Sequence, residues 1–197
     1  MKLPVQVRPR APETERIIKE IEMSIYTPEY KPNGKEIAVI ETSKGTIKVQ
    51  LTGLDTPIHV GNFVELAQKG FYDGLKFHRY VPGFVIQGGC PNTRDLSEEE
   101  VIEKADNPMA GLGTGGPGYT IQEEYTTNPN NLHEDCSLAM ARSQDPNSAG
   151  SQFYFCLGAQ PMLNSGYTVF GQTLTGQDVI SKLRVGDTIK NVKIEGC

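Results

Sequence analysis

The sequence predicts a mainly β fold, a closed antiparallel barrel with helices covering its ends. Many short segments alternate apolar with polar residues, as antiparallel strands do, and turn residues separate them. Within this strand-rich region, two longer segments place apolar residues at helical spacing, and each follows a hairpin or a strand. A chain with this order of elements protects its strand edges by closing the sheet on itself.

Size and composition indicate a single soluble domain with appendages. The 197 residues suffice for one well-buried core, and 37% apolar with 22% charged residues is ordinary for a globular protein. With 24 acidic against 19 basic residues there is no basic field for nucleic acid. No apolar run approaches the ~18 residues of a membrane span, and no secretory leader is evident. We expect a cytoplasmic protein with neither nucleic acid nor membrane as a partner.

The first 34 residues predict an N-terminal extension. Within it, the segment ETERIIKEIEMSIY repeats isoleucine at the spacing of an amphipathic helix. The apolar face of this predicted helix comprises Ile17, Ile18, Ile21 and Ile25. Pro28 and the turn sequence KPNG then end the helix. We expect its isoleucine face to pack on the protein's own barrel, and recruitment of a partner is the alternative.

Residues 35–197 form the predicted barrel domain, which begins with a hairpin. EIAVIET and TIKVQLT alternate apolar and polar residues on either side of a turn at residues 43–45. A helix follows in IHVGNFVELAQKG, where Gly70 occupies the position of a C-terminal cap. The stretch KFHRYVPGFVIQGGC, residues 76–90, then supplies two strands.

The rest of the domain predicts further strands and two more helices. In NTRDLSEEEVIEKADNP, Ser97 stands three residues before Glu100, which is the signature of a capping box. We therefore predict a short inserted helix at about residues 98–105, within an insertion of about residues 92–110. Further strands are predicted at YTIQ, SLAMA, SQFYFCL, residues 168–174 and TIKNVKIEG. GQDVISKL predicts a helix capped by Gly186.

Several patterns that would indicate other chemistry lack the context they require. The glycine-rich GLGTGGPG has neither a strand before it nor a helix after it, as a dinucleotide-binding loop must. The four cysteines form no CxxC pair, so we expect reduced thiols and no metal or other cofactor. Cys156 lies in an apolar run and is predicted to be a buried structural thiol. His78, beside Phe77, is expected to be a hydrogen-bonded core histidine.

Three polar residues stand among apolar ones in the predicted strands: Arg79, Gln87 and Gln152. None of them is a nucleophile or transfers protons readily near neutral pH. Arginine presents a planar, permanently charged set of donors, and glutamine side chains can hold it in orientation. Apolar walls with one fixed guanidinium suit a reaction that changes the electron distribution of an amide without breaking a bond. Rotation about a peptide bond is such a reaction.

A series of longer motifs carries a family resemblance. FHRYVPGFVIQGG, GTGG, MARS, NSAGSQFYFC and GYTVFG follow the ETSKGTI hairpin in this order. Together they resemble the cyclophilin-type peptidyl-prolyl cis-trans isomerases over about residues 35–197. The resemblance implies an eight-stranded antiparallel barrel closed by two helices, with the substrate proline bound in a groove on the outer face. It also implies isomerisation of X-Pro bonds, assistance to folding, and proline-containing peptides and unfolded or partly folded proteins as partners.

The resemblance also assigns roles to individual residues. Arg79 matches the catalytic arginine of the family, and Gln87 joins it as the second residue of the catalytic pair. The positions that match the substrate-binding groove are Phe84, Val85, Gly113, Ala141, Arg142, Gln152, Tyr154, Met162, Leu163 and Tyr167.

Five of these positions depart from the residue that the family often has. The usual residues are methionine at Val85, asparagine at Arg142, phenylalanine at Tyr154, tryptophan or phenylalanine at Met162, and histidine at Tyr167. The arginine and the methionine alter the expected substrate preference, and we expect cyclosporin to bind with weakened affinity. A reshaped groove leaves a second hypothesis open, a proline-peptide binding module with weak or no turnover. Retention of the catalytic arginine and both glutamines favours the enzyme.

Overall fold

The computed structural model describes residues 25–197. Most of the predicted N-terminal helix therefore lies outside the described residues. Its last isoleucine was assigned wrongly, because Ile25–Tyr26 forms a short strand, β1, that pairs in parallel with Thr120–Ile121, β6. Thr27 precedes a proline and is biased toward extended backbone, which favours a strand over a helix at this point. No helix within the described range combines the length and apolar character needed to cross a bilayer.

In the part of the chain that the structure describes, eight further strands form one antiparallel sheet, which confirms the mainly β prediction. They are β2 (Ile37–Thr42), β3 (Gly45–Leu51), β4 (Arg79–Val81), β5 (Val85–Gly88), β7 (Ser137–Met140), β8 (Phe153–Cys156), β9 (Val169–Thr175) and β10 (Ile189–Glu195). Their order across the sheet is β10-β2-β3-β9-β7-β8-β5-β4. Every pairing between neighbours is antiparallel, so the sheet needs no crossover helix of the kind that parallel strands require.

The sheet curls into a half-barrel whose edge strands, β4 and β10, do not pair with each other in the described part of the chain. The segments that lead into these two strands do meet. An isolated bridge joins Lys76 to Thr188, and backbone hydrogen bonds connect residues 74–77 with residues 186–189. These contacts stop short of a continuous ladder between the edge strands. The closed barrel therefore stays a prediction, whereas the curled antiparallel sheet is confirmed.

Within residues 25–197, three α-helices accompany the sheet: α1 (Pro57–Gln68), α2 (Glu98–Lys104) and α3 (Gln177–Lys182). The inserted helix α2 begins as predicted, because Ser97 and Glu100 form the reciprocal capping box. The predicted cap of α3 is wrong in position. That helix ends at Lys182, and Leu183 is its C-cap residue. Gly186 lies beyond it with φ +94°, and its own N–H donates to the carbonyl of Phe77.

The strand β8 faces two different apolar clusters. Phe153 and Phe155 point into the main core, where Phe153 contacts the rings of Phe63 and Tyr72 edge-on. Tyr154 belongs to a second, smaller cluster on the opposite face of the sheet. Because side chains alternate along a strand, one four-residue segment supports the core and also builds an outer apolar surface.

The first turn of α1 is capped by a residue distant in sequence. The side chain of Thr56, at the N-cap position, makes no capping hydrogen bond. Instead, the buried carboxylate of Glu124 accepts the backbone N–H groups of Ile58 and His59, at 3.0 and 2.9 Å. The positive end of the helix dipole favours a carboxylate at this point. Glu124 thus fixes the segment after β6 onto α1.

Replacing Glu124 by alanine is expected to lower the free energy of unfolding by about 2–3 kcal/mol, because the backbone N–H groups of Ile58 and His59 lose a charged acceptor. Urea denaturation measures this change. The matched control is Glu134→Ala, at an exposed position that makes no side-chain hydrogen bond within the described residues, and it should stay within about 0.5 kcal/mol of the parent. Equal losses in the two variants would contradict the capping role.

Candidate active site

A cavity of about 260 Å³ opens over the outer apolar cluster. Its lining residues are Arg79, Phe84, Val85, Gln87, Ala141, Arg142, Tyr154, Leu163 and Tyr167. The strand register brings several of them together, since Arg79 lies opposite Gln87, and Gln87 lies opposite Tyr154. Residues that are directly opposite on neighbouring strands share one face of a sheet. Nine of the twelve predicted site residues therefore line this one cavity.

Arg79 lies at the rim of the cavity and is exposed. Its Nη1 atom is 3.5 Å from the Oε1 atom of Gln87, which is a long hydrogen bond, and its guanidinium carbon lies 6.0 Å from the ring centroid of Phe84. Within residues 25–197, no carboxylate forms an ion pair with it. The donors of this guanidinium are therefore available to a ligand in the cavity.

Two glutamines connect Arg79 to a glycine-rich loop. The Nε2 atom of Gln87 donates to Oε1 of Gln152 at 2.9 Å. In turn, Nε2 of Gln152 donates to the carbonyl oxygens of Gly113 and Gly115, both at 2.8 Å. Glycine is required at the first of these positions, because φ is +81° and an added Cβ atom would meet the ring of His78 at 3.3 Å. This chain of hydrogen bonds holds the glycine-rich loop in a fixed position relative to Arg79.

A larger cavity of about 560 Å³ adjoins the first one. Its walls comprise the loop at residues 113–120 and the segment at residues 150–152, and it shares Gln87, Ala141 and Arg142 with the smaller cavity. Gly113 and Gln152, which were predicted for the groove, line this larger cavity instead of the smaller one. The two cavities form one continuous surface on which an extended peptide can lie.

Arg142 forms the boundary between the cavities. Its Nε atom donates to the carbonyl of Gly166 at 2.7 Å, and its Nη1 atom donates to the carbonyl of Ser143 at 2.8 Å. The guanidinium carbon also lies 4.6 Å from the ring centroid of Tyr167, a cation–π distance. No carboxylate of the described residues pairs with it. Arg142 thus adds a second positive charge to the groove.

Tyr154 forms the floor of the smaller cavity, and its hydroxyl group has a hydrogen-bond partner beneath that floor. That hydroxyl lies 3.0 Å from Nε2 of His133. Asn164 Oδ1 accepts hydrogen bonds from the backbone N–H of His133 and from its Nδ1 atom. Since an amide oxygen can only accept, Nδ1 carries the proton and Nε2 accepts from Tyr154. Burial lowers the pKa of His133, so the neutral ring persists at neutral pH.

His133 and Asn164 were not identified as site residues from the sequence. His133 stands among polar loop residues, and nothing in that pattern indicates that it lies beneath a strand more than 20 positions away. A departure from the family residue was the one available signal. Tyrosine at position 154 needs a buried partner for its hydroxyl, and a histidine supplies one.

Met162 does not line either cavity, although it was predicted for the groove wall. Its side chain is 69% exposed. Met162 belongs to a short 3₁₀ turn, Pro161–Leu163, in which successive side chains are about 120° apart. Because Leu163 faces the cavity, its neighbour in the turn points to solvent.

His78 is buried, but neither of its ring nitrogens has a hydrogen-bond partner within the described residues. The expectation of a core histidine is therefore confirmed, whereas the expected hydrogen bonds of its ring are not formed within residues 25–197. Burial, with a smaller contribution from the charge of Arg79, lowers the pKa of His78 from 6.5 to about 4. The ring is therefore neutral at physiological pH.

Residues 37–197 match the sequence model of a family described as cyclophilin type peptidyl-prolyl cis-trans isomerase/CLD. This chain belongs to the cyclophilin-type peptidyl-prolyl cis-trans isomerase family. Two bacterial relatives agree with this assignment. The peptidyl-prolyl cis-trans isomerase of Synechococcus elongatus is 45% identical over 80% of this chain and 94% of the relative. Peptidyl-prolyl cis-trans isomerase B of Bacillus subtilis is 42% identical over 76% of this chain and 91% of the relative.

Solved cyclophilin structures resemble the fold. A cyclophilin-type isomerase of Cryptosporidium parvum, crystallised in the presence of the dipeptide Ala-Pro, matches with a TM-score of 0.66 and 27% identity. The match covers 82% of this chain and 99% of that one. The curled sheet and its cavities therefore belong to a cyclophilin scaffold.

Replacing Gln87 by alanine is expected to lower kcat/KM for an X-Pro peptide by about tenfold, roughly 1.4 kcal/mol, because Arg79 loses its hydrogen bond to Gln87. If Gln87 acts through Arg79, the double variant should be no slower than Arg79→Ala alone. The exposed Gln122→Ala serves as a control and should match the parent. Additive losses in the double variant would contradict the coupling.

The free energy of unfolding should fall as the pH is lowered from about 6.5 to about 4, because the unfolded state gains a proton that buried His78 cannot accept. With about 1.4 kcal/mol per pKa unit, the expected loss is roughly 3 kcal/mol. Above pH 6.5 this contribution is constant, since His78 is neutral in both states. Urea denaturation of the parent and of His78→Gln measures the difference, and an identical slope in both proteins would contradict this assignment.

Proposed function

We propose that this chain accelerates rotation about X-Pro peptide bonds, with the proline ring in the smaller cavity and Arg79 beside the rotating bond. One observation carries the proposal: a cavity of about 260 Å³ over the outer apolar cluster has at its rim a guanidinium that no carboxylate of residues 25–197 neutralises. The Cryptosporidium isomerase, whose crystal structure was determined in the presence of Ala-Pro, supports a proline-containing ligand.

The barrier to rotation arises from the resonance of the amide. It amounts to roughly 18–20 kcal/mol for a peptide bond, so uncatalysed isomerisation takes about 10–100 s. In the twisted state, the proline nitrogen becomes pyramidal and regains its lone pair. A donor aimed at this lone pair binds the twisted amide better than either planar form, and such differential binding is what lowers the barrier. We propose that Arg79, at the rim of the cavity, supplies that donor.

One hydrogen bond does not account for the whole effect. A charge-assisted bond contributes about 2–3 kcal/mol, which corresponds to roughly a hundredfold in rate. The apolar walls contribute the rest by clamping the proline ring. Phe84 and Leu163 are the partly buried walls, and Tyr154 is the floor. Excluding water from this pocket also favours the twisted amide, which is less polar than the planar one.

The proposed substrates are proline-containing segments of unfolded or partly folded proteins, and the proposed role is assistance to folding in the cytoplasm. Isomerisation of X-Pro bonds is slow enough to limit folding. The four free cysteines, three of them buried, support a reducing compartment. We propose weakened cyclosporin affinity, because the Arg142 guanidinium occupies the boundary between the two cavities.

The finer architecture is also part of this proposal. We propose that the curled sheet behaves as a closed barrel in solution. The backbone hydrogen bonds between residues 74–77 and residues 186–189 support this, because they join the segments next to both edge strands. Closure would hold β4, and with it Arg79, against movement during turnover.

A binding module without turnover is not favoured. The relatives from Synechococcus and Bacillus are both named isomerases, and the arginine with its two glutamines is present in this chain. A protease-coupled assay on a short X-Pro peptide, run beside a binding titration, separates the two functions. Binding without acceleration would identify the module.

Arg79→Ala is expected to lower turnover by about two to three orders of magnitude. The variant loses one charge-assisted hydrogen bond to the twisted amide, and it also loses the orientation of the substrate that this bond provides. The far-ultraviolet circular dichroism should be unchanged, since the side chain is exposed. Lys190→Ala removes an exposed positive charge outside both cavities and should retain full activity. Parental turnover by Arg79→Ala would remove Arg79 from the mechanism.

A further inference from the structure

Residues 25–34, here called the strap, precede the residues that match the family, which begin at position 37. The strap nevertheless packs against the domain near its larger cavity. Its first two residues, Ile25–Tyr26, pair in parallel with Thr120–Ile121. It then runs along α1 toward β2, so it is an addition to the family scaffold whose placement calls for a physical reason.

Two carboxylates fasten the strap. Glu65, on α1, accepts hydrogen bonds from the hydroxyl of Tyr26 at 2.6 Å and from the backbone N–H of Tyr30 at 2.9 Å. Glu36 accepts from the hydroxyl of Tyr30 at 3.0 Å and from the backbone N–H of Asn33 at 2.6 Å. Both carboxylates belong to buried residues, where hydrogen bonds to charge are stronger than at the surface.

The helix surface is shaped to receive the strap. Gly61 lies in the middle of α1, where glycine is unfavourable for a helix. A Cβ atom at this position would approach both the Cβ of Pro28 and the carbonyl oxygen of Tyr30 to 2.9 Å. Glycine at this position therefore lowers the stability of the helix but allows close contact with the strap.

The strap also contacts the wall of the larger cavity. The ring centroids of Tyr26 and Tyr119 are 4.3 Å apart. Tyr119 and Thr120 both line the cavity, and they directly follow a loop that has five glycines between residues 111 and 118. The hydroxyl of Tyr119 donates to Asn62, whose amide donates to the carbonyl of Gly150 on another part of the wall.

Without the strap, this wall keeps the hydrogen bonds of Gln152 to the loop and of Tyr119 to Asn62, but it loses the strand that pairs with β6. In the described chain, the two-residue strand β6 pairs with β1 and otherwise has one isolated bridge, from Ile121 to Ala149. The glycines before it favour many backbone conformations. A peptide that binds a mobile wall must order it, and that ordering reduces affinity.

We infer that the strap is a positioning element for peptide binding, with Tyr26 as its central positioning residue. By holding Tyr119 and Thr120 in place, it sets the affinity for the part of a peptide that lies in the larger cavity, beside the proline. The inference rests on the proposed isomerase function. The strap contacts neither Arg79 nor the smaller cavity, so the rotation step itself is independent of it.

Two strap variants and one variant of α1 test this inference on two substrates: a blocked Ala-Pro dipeptide, and a peptide with three residues on each side of the same Ala-Pro. Tyr26→Ala removes the ring contact, Tyr26→Phe removes only the bond to Glu65, and Gly61→Ala displaces the strap from an intact helix. Glu29→Ala, at an exposed strap position, is the matched control. Nuclear magnetic resonance exchange measurements give kcat and KM for both substrates, and thermal denaturation gives the stability of each variant.

For Tyr26→Ala and Gly61→Ala, KM for the extended peptide should rise about tenfold, with kcat unchanged and the dipeptide kinetics unchanged. Tyr26→Phe should show a smaller rise, and Glu29→Ala none. Equal changes for both substrates in proportion to lost stability, or no change in KM, would overturn the inference. If the parent protein turns over neither substrate, the proposed function fails. In that case, a fluorescence titration measures the affinity for the extended peptide. A tenfold weaker affinity in Tyr26→Ala and Gly61→Ala would support the role of the strap, and an unchanged affinity would overturn it.

Discussion

The alternation of side chains along β8 is the constraint on which the site depends. Phe153 and Phe155 are fully buried in the main core, so the register of this strand cannot shift without exposing them. With that register fixed, Tyr154 must face outward beside Gln87 and Ala139. The energy that holds the groove in shape therefore comes from the core on the other side of the sheet. This arrangement lets an open apolar surface persist without collapsing.

The two positive charges of the groove are held by neutral partners. Arg79 and Arg142 both lie at its surface, and no carboxylate of residues 25–197 pairs with either of them. Arg142 is held in place by backbone carbonyl oxygens and an aromatic ring, so its position is fixed while its charge stays unneutralised. Neutral partners of this kind orient a guanidinium and leave it free to interact with a polarising amide.

The sequence predicted the parts of the structure that depend on local pattern. The hairpin, α1, the capped helix α2 and the last strand all follow from periodicity and turn chemistry within a short segment. Most groove residues followed from the family motifs. Contacts between segments distant in sequence could not be predicted from local pattern. Two examples are the hydrogen bonds of the Glu124 carboxylate to the first turn of α1 and the position of His133 beneath Tyr154. The helix prediction at Ile25 was wrong for a similar reason, since the strand partner of this residue lies 95 positions away, at Thr120.

A crystal structure of the chain with an extended X-Pro peptide would test the proposed role of Arg79 most directly. We expect the proline ring to contact Phe84 and Leu163, with a guanidinium nitrogen of Arg79 about 3 Å from the proline nitrogen or the adjoining carbonyl oxygen. A peptide bound with its proline outside this cavity, or with Arg79 turned away from the rotating bond, would contradict the mechanism.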